Sequence, residues 1–272
     1  MSEIIKAIIF GIVEGITEWL PISSTGHMLL LGEFLKLDVS PAFWEMFLVV
    51  IQLGAVMSVA ALYFKRLVPI TVSPRLALRR DVLSLWGKII VACAPAAVIG
   101  VLFDDKLDAM FYNYPTVAVA LIAYGVLFIV IERKRRGEPR VTAVSGITYK
   151  TALLVGVFQL LSLIPGTSRS GATILGAILI GFSRKTATEF TFFLALPVML
   201  GASLLKLVKL GFAMTGAEGA ILLAGCLTAF IVSVAAIRFL TGYVKKHDFT
   251  AFGWYRIALG IAVLAYFAAA RL

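Results

Sequence analysis

The sequence predicts an all-α polytopic membrane protein, built as an inverted repeat of two halves. The chain has 272 residues, of which 61% are hydrophobic and 15% are charged, whereas soluble domains are about half apolar and about a quarter charged. Six apolar segments are long enough to cross about 30 Å of hydrocarbon. Two further apolar stretches are each interrupted by a polar loop that contains proline. We therefore expect a single integral membrane domain over residues 1–272.

The spans and hairpins follow from the lengths of the apolar runs. Each half of the two interrupted stretches is too short to cross the hydrocarbon, so we predict re-entrant helical hairpins there, with irregular backbone buried in protein or lining a wet cavity. One hairpin and three transmembrane helices then make up each repeat, over about 1–135 and about 148–272. The predicted hairpins cover 4–36 and 149–182, and the predicted transmembrane helices cover 42–64, 84–103, 114–132, 185–208, 218–239 and 251–270.

Basic residues between the spans predict the orientation. The net charge is +10, and Lys and Arg concentrate in 65–88, 133–150 and 238–246. These regions alternate so that all three face the cytoplasm under the positive-inside rule. The DDKLD loop at 104–108, the loop at 211–217 and both termini then face outside. Cations at these positions suit lipid headgroups, so we expect no nucleic-acid partner.

The two hairpins resemble each other in sequence. Pro21 pairs with Pro165 at an offset of 144 residues, whereas Glu14 pairs with Gln159 only after a shift of one residue. Because three spans follow each hairpin, and three is odd, the second half must be inserted upside down relative to the first. Inverted repeats place binding sites near the midplane, where broken helices meet. We therefore predict that the two proline-containing loops converge.

The first hairpin carries two carboxylates. Glu14 and Glu18 are four residues apart and share one helix face, which Gly11 and Gly15 flank, so that another backbone can approach closely. An ionisable side chain at membrane depth costs at least about 2.5 kcal/mol, and two adjacent carboxylates also repel unless a cation lies between them. A divalent metal, Mg²⁺ or Ca²⁺, bound by both glutamates explains the pair. The alternative is a structural pair that is hydrogen-bonded to neighbouring hydroxyls.

Hydroxyl and imidazole groups follow at the start of a helix predicted over 25–36. Ser23, Ser24 and Thr25 suit helix capping, and a capped helix start is also an anion site. His27 exchanges protons near neutral pH, although a lone buried histidine is more often structural. We predict Ser23 and Thr25 as phosphate-binding residues and Ser24 as the nucleophile, with His27 as general acid and base. Attack by His27 itself stays open as an alternative.

The second hairpin supplies a matching polar loop, GTSRSG, at residues 166–171. The guanidinium group of Arg169 matches phosphate oxygens bidentately. Carboxylates for a metal, an arginine for phosphate, a hydroxyl nucleophile and an imidazole together describe phosphoryl transfer, in which positioning and charge neutralisation dominate. The predicted substrate-binding residues of this loop are Thr167, Ser168, Arg169 and Ser170.

The stretches EGITEWLPISSTGH and PGTSRSGATILG resemble the two signature motifs of the bacterial undecaprenyl-diphosphatase family, also called bacitracin-resistance proteins. The resemblance extends over nearly the whole chain. It implies an inner-membrane enzyme that removes the terminal phosphate of undecaprenyl diphosphate, recycles the lipid carrier for peptidoglycan synthesis and confers bacitracin resistance. It also implies a divalent metal and a site that opens to the outer side. The functional positions that it implies are Glu14, Glu18, Ser24, Thr25, His27 and Arg169.

A transporter or flippase of an anionic polyprenyl lipid is the alternative function, because inverted repeats with broken helices are typical of transporters. A carrier has little need of a nucleophile and a proton-exchanging group, so Ser24 and His27 favour the enzyme. The partners that we expect are a polyprenyl diphosphate lipid and the surrounding membrane lipids. A homodimer stays open.

Overall fold

The computed structural model describes residues 1–71, 77–135, 137–210 and 214–270. Within these ranges the chain is almost entirely helical, and six helices are long and apolar enough to cross a membrane. Each of them coincides with a predicted span to within a few residues, which confirms the all-α polytopic class. The six spans are Pro41–Leu62, Arg80–Phe103, Tyr114–Lys134, Arg184–Lys209, Gly216–Tyr243 and Thr250–Ala269.

Short helices form the two hairpins. The first hairpin consists of α1 (Glu3–Thr17) and α2 (Ser24–Phe34), and the second consists of α7 (Tyr149–Leu160) and α8 (Arg169–Leu179). These helices have 11 to 15 residues, fewer than the roughly 20 that a spanning helix needs.

The remaining helices complete the bundle. They are α3 (Pro41–Leu62), the short α4 (Phe64–Leu67), α5 (Arg80–Phe111), α6 (Tyr114–Lys134), α9 (Arg184–Leu210), α10 (Gly216–Tyr243) and α11 (Thr250–Ala269), and two two-residue strands, β1 (Ile70–Thr71) and β2 (Ala77–Leu78), pair antiparallel between α4 and α5.

The predicted loop at 104–108 is wrong, because α5 continues through it to Phe111. The DDKLD charges mark the end of the apolar segment at Phe103, and no glycine or proline follows there to end the helix. The turn comes at 112–113, where the Asn113 side chain accepts a hydrogen bond from the Thr116 amide at 3.0 Å and caps α6. In the predicted loop at 211–217, residues 211–213 lie outside the described ranges, and α10 begins at Gly216.

Each hairpin packs on a helix of the other half. Helix α1 lies against α10, and α7 lies against α5. The contact of α1 is a backbone approach, since a Cβ atom on Gly11 would lie 2.6 Å from the carbonyl oxygen of Gly225, and one on Gly15 would lie 2.8 Å from that of Ala229. The two glycines therefore act as the sequence predicts. A two-fold relation between the halves would exchange the contact of α1 with α10 and the contact of α7 with α5. The inverted repeat itself stays a prediction.

The helix caps correct the alignment of the two polar loops. Ser23 and Ser168 are the N-caps of α2 and α8, with φ angles of 72° and 71°. They lie 145 residues apart (168 minus 23), not 144. The match of prolines therefore misaligns the helix starts by one residue, because two residues rather than one separate the proline from the cap in the second loop. With the caps as reference, Ser24 corresponds to Arg169.

The three basic regions meet at one end of the bundle. A cavity of about 580 Å³ is lined by Arg135, Arg184 and Lys245, and a smaller one of about 130 Å³ by Arg66 and Lys245. Regions that are far apart in the sequence thus share one side of the molecule, which is what the predicted topology requires of them.

Candidate active site

The two polar loops meet at Glu18, the first residue after α1. Its carboxylate oxygen Oε2 accepts a hydrogen bond from the Ser24 hydroxyl at 3.1 Å. The other oxygen, Oε1, forms an ion pair with the Arg169 guanidinium group at 3.1 Å. The Ser170 hydroxyl donates to the Glu18 backbone carbonyl at 3.1 Å. Glu18 is 6% exposed. One buried carboxylate therefore joins a hydroxyl from the first hairpin to a guanidinium group from the second.

Contacts with α9 hold the Arg169 side chain in place. Its Nη1 donates to the backbone carbonyl of Thr191 at 3.0 Å, while its Nη2 donates to Glu18. The Thr191 hydroxyl donates to that of Thr173, which in turn donates to the Arg169 carbonyl at 2.8 Å. Because both Nη atoms are engaged in different directions, the plane of the guanidinium group is fixed.

Glu14 lies one helical turn before Glu18 and is 1% exposed. Its Oε1 accepts no hydrogen bond from any residue that the structure describes. Arg169 compensates the charge of Glu18, and within the part of the chain that the structure describes no cationic side chain pairs with the Glu14 carboxylate. Two close carboxylates in a buried site are favourable only with a proton or a cation between them.

A divalent cation fits this free carboxylate oxygen. The described residues contain no group of three or more His, Cys, Asp or Glu side chains that could hold a metal ion, so the protein would supply few ligands. Mg²⁺ commonly binds through one or two carboxylates, with water and substrate phosphate oxygens as the other ligands. Glu14 and Glu18 therefore suit a metal that arrives with a phosphate ligand.

Two strained serines start the helices that carry the site. Ser23 Oγ accepts from the Gly26 amide at 3.4 Å, and Ser168 Oγ accepts from the Gly171 amide at 3.1 Å. Left-handed backbone at a non-glycine residue costs about 1–3 kcal/mol and is often found at functional sites. Both hydroxyls serve as caps, so the capping interpretation holds for Ser23, and α2 begins at Ser24, one residue before the predicted start.

His27 points to a partner on α11 rather than to Ser24. Its Nδ1 lies 2.7 Å from the Ser23 carbonyl oxygen and its Nε2 lies 2.7 Å from the Tyr255 hydroxyl. A carbonyl oxygen only accepts, so Nδ1 carries the proton, and in the neutral ring Nε2 accepts from Tyr255. Among the described residues, the hydrogen-bond partner of the Ser24 hydroxyl is Glu18.

The other predicted binding residues line the same loops. Thr25 is half-buried in the first turn of α2. Thr167 is buried, and its backbone carbonyl accepts from the Arg256 guanidinium group at 2.8 Å. The hydroxyls of Ser168 and Ser170 lie 3.1 Å apart.

Sequence reasoning missed Tyr255 and Arg256 of α11. Arg256 is fully buried, and its guanidinium group donates to backbone carbonyls of both loops. The available signal was an arginine within an apolar span, because ionisable residues inside a membrane are costly and mark functional sites by default. The sequence does not show, however, which residues such an arginine contacts.

The fold and the site together define an integral membrane protein with a buried carboxylate–hydroxyl–guanidinium cluster between two short helical hairpins. The family model described as "Bacitracin resistance protein BacA" matches residues 7–262. Similar curated proteins are Undecaprenyl-diphosphatase 1 of Clostridium acetobutylicum, with 61% identity over 97% of each chain, and the Undecaprenyl-diphosphatase of Acetivibrio thermocellus, with 59% identity over 100% of each. The Undecaprenyl-diphosphatase of Desulfitobacterium hafniense is 61% identical over 99% of this chain and 98% of its own.

This chain belongs to the bacitracin resistance protein BacA family. The family to which the sequence motifs point is therefore confirmed.

Proposed function

We propose that this protein is an undecaprenyl-diphosphatase, which removes the terminal phosphate of undecaprenyl diphosphate, recycles the lipid carrier for peptidoglycan synthesis and confers bacitracin resistance. The names of the curated relatives support the substrate. The observation that carries the chemistry is the contact of the Ser24 hydroxyl and the Arg169 guanidinium group with the same Glu18 carboxylate. A hydroxyl group beside a base and a guanidinium group in a fixed position are the groups that phosphoryl transfer through a covalent intermediate requires.

The reaction starts at the Ser24 hydroxyl. Its oxygen attacks the terminal phosphorus while Glu18 accepts the proton, and the bond between that phosphorus and the bridging oxygen breaks. Undecaprenyl phosphate leaves, and the terminal phosphate remains on Ser24. Water then attacks the phosphorus of this phosphoserine ester and the bond to the Ser24 oxygen breaks. Glu18 returns its proton to the Ser24 oxygen, which restores the hydroxyl, and inorganic phosphate is released. Arg169 stabilises the phosphate oxygens throughout, as guanidinium groups do in phosphoryl transfer.

Glu18 rather than His27 takes the Ser24 proton in this scheme. The sequence favours His27 for that step, whereas the 3.1 Å contact between Ser24 and Glu18 supports the carboxylate. His27 keeps a role in proton exchange, with Nε2 as its basic atom, because its Nδ1 is bound to the Ser23 carbonyl.

The decisive test is phosphate release from undecaprenyl diphosphate by the purified protein in detergent, with and without a chelator. An enzyme releases inorganic phosphate, with a rate that falls when the divalent cation is removed. A transporter or flippase of an anionic polyprenyl lipid binds the lipid and leaves the diphosphate intact. Intact substrate at all cation concentrations contradicts the proposal.

The metal is part of the proposal. Glu14 and Glu18 would hold Mg²⁺ or Ca²⁺, which when bound neutralises phosphate charge. We expect Glu14→Gln, which keeps the shape and removes the charge, to raise the cation concentration for half-maximal activity by at least about 10-fold, a typical loss when a metal site is disturbed. Titration of phosphate release with MgCl₂ and CaCl₂ measures it. Glu33→Gln, at an exposed position of α2, is the matched control. An unchanged titration in Glu14→Gln contradicts the metal site.

The inner-membrane orientation, with the first hairpin and the site open to the outer side, is also proposed. It is supported by the basic residues gathered at the opposite end of the bundle and by the positive-inside rule. We expect Tyr112→Cys to react with a membrane-impermeant maleimide in intact cells and Glu138→Cys to react only after lysis. Both positions are exposed, and the native Cys93 and Cys226 lie within α5 and α10, so the unmodified protein gives the background. The reverse labelling pattern overturns the orientation.

A further inference from the structure

Arg256 connects the two catalytic loops through their backbones. Its Nη1 donates to the carbonyl of Pro21 at 3.2 Å, and its Nη2 donates to the carbonyls of Gly166 at 2.9 Å and Thr167 at 2.8 Å. Pro21 belongs to the first hairpin, whereas Gly166 and Thr167 belong to the second. A single guanidinium group on α11 therefore binds both loops, just before the residues that cap α2 and α8.

Burial of the Arg256 guanidinium group costs free energy, which indicates that the residue has a function. Arg256 is fully buried, and its partners among the described residues are neutral: three carbonyls and the ring of Tyr124, whose centroid lies 5.6 Å from the guanidinium carbon. A buried charge without a counter-ion is stabilised only by good hydrogen bonds. An apolar residue would pack at this position without that cost.

The carbonyls that Arg256 binds belong to irregular backbone between two helices. Each loop makes a local backbone hydrogen bond, from the Ile22 amide to Leu20 at 2.7 Å and from the Thr167 amide to Ile164 at 3.2 Å, and each leads into a serine with a left-handed backbone. The second loop also lies close to α6, because Gly166 has a φ of +91° and a Cβ atom there would lie 2.5 Å from the carbonyl oxygen of Val117 on α6. Arg256 ties this loop to the first one.

We propose that Arg256 is a positioning residue, which holds the two strained loops in register so that Ser24 of one and Arg169 of the other meet at Glu18. The contribution of Arg256 to the rate of turnover rests on the proposed function, whereas its contribution to the conformation of the loops does not. The planar fork is essential, because the carbonyls lie in two directions and a lysine ammonium group is a point charge on a flexible stem. Displacement of a reacting group by about 1 Å costs about 100-fold in rate.

The test compares Arg256→Lys and Arg256→Met with a matched control, Arg184→Lys. Arg184 also joins two segments, through its ion pair with Glu132 at 2.6 Å, but it lies at the basic end of the bundle and contacts neither loop among the described residues. Amide hydrogen exchange of the purified proteins, followed on peptides that cover residues 18–25 and 164–170, reports on the loops directly. Phosphate release gives kcat and KM, and the thermal midpoint reports on global stability.

We expect faster exchange in both loops of Arg256→Lys, together with a fall in kcat of about 100-fold and a KM that changes by less than about 3-fold, while Arg184→Lys retains the kcat and the loop exchange of the unchanged protein. Arg256→Met should show the same pattern in a stronger form, and the lysine variant decides the matter if the methionine variant does not fold. Wild-type loop exchange in Arg256→Lys overturns the proposal, as does an unchanged kcat. If Arg256→Lys shows faster loop exchange but the unchanged protein itself releases no phosphate, the result contradicts the proposed function and leaves the positioning role of Arg256 intact.

Discussion

Ser24→Ala should abolish turnover almost completely, with a loss of kcat of more than about 1,000-fold, as is typical when a nucleophile is removed. The Ser24 hydroxyl donates to Glu18 and stands at the first position of α2, where amide groups and the helix dipole favour an anionic group. Alanine retains the helix start, because the cap is Ser23. Phosphate release under single-turnover conditions measures the chemical step directly.

Ser162→Ala is the matched control for this prediction. Its hydroxyl lies on the second hairpin and donates to the Gln159 carbonyl at 2.7 Å, a contact within its own chain segment that takes no part in the cluster around Glu18. This variant should retain the activity of the unchanged protein. His27→Ala should keep a residual rate, because Glu18 accepts the Ser24 proton. Substantial activity in Ser24→Ala, or a trapped phosphoenzyme that maps to His27, contradicts Ser24 as the nucleophile.

Arg169→Lys should lower kcat by about 100-fold or more, in the range of losses that follow removal of a group that stabilises developing charge. Arg169 binds Glu18 and the Thr191 carbonyl at the same time, at 3.1 Å and 3.0 Å. A lysine keeps the positive charge, but it cannot reproduce the planar fork that binds two phosphate oxygens and keeps this fixed orientation. The effect should appear mainly in kcat, because the guanidinium group acts on charge in the transition state.

Arg238→Lys provides the comparison for Arg169→Lys. Arg238 is an exposed arginine on α10, and its replacement changes the same chemical group outside the loops. We expect its kinetic constants to match those of the unchanged protein. Full activity in Arg169→Lys would reduce the role of Arg169 to general positive potential and would remove the bidentate phosphate contact from the mechanism.

Local properties of the sequence account for what could be predicted. Six spans and two hairpins follow from the length of each apolar run and from the polar residues that interrupt it, because a membrane selects helices by hydrophobicity and length. The wrong loop at 104–108 arose because charge was taken as the end of a helix, whereas a helix continues past the hydrocarbon wherever no residue breaks it. The residue types of the site were equally visible, since carboxylates and an arginine at membrane depth require a reason.

Tertiary structure alone decided which of these groups meet. From the sequence, the Ser24 hydroxyl could donate to His27, three positions later, or to Glu18, six positions earlier. The turn between α1 and α2 brings it to Glu18. His27 is directed to Tyr255, and Arg256 joins Pro21 to Gly166 and Thr167, across separations of 228, 235, 90 and 89 residues. The sequence shows that buried polar groups need partners, because burial without them costs free energy. It does not show the partners, because their directions depend on how hairpins from both halves pack against α11.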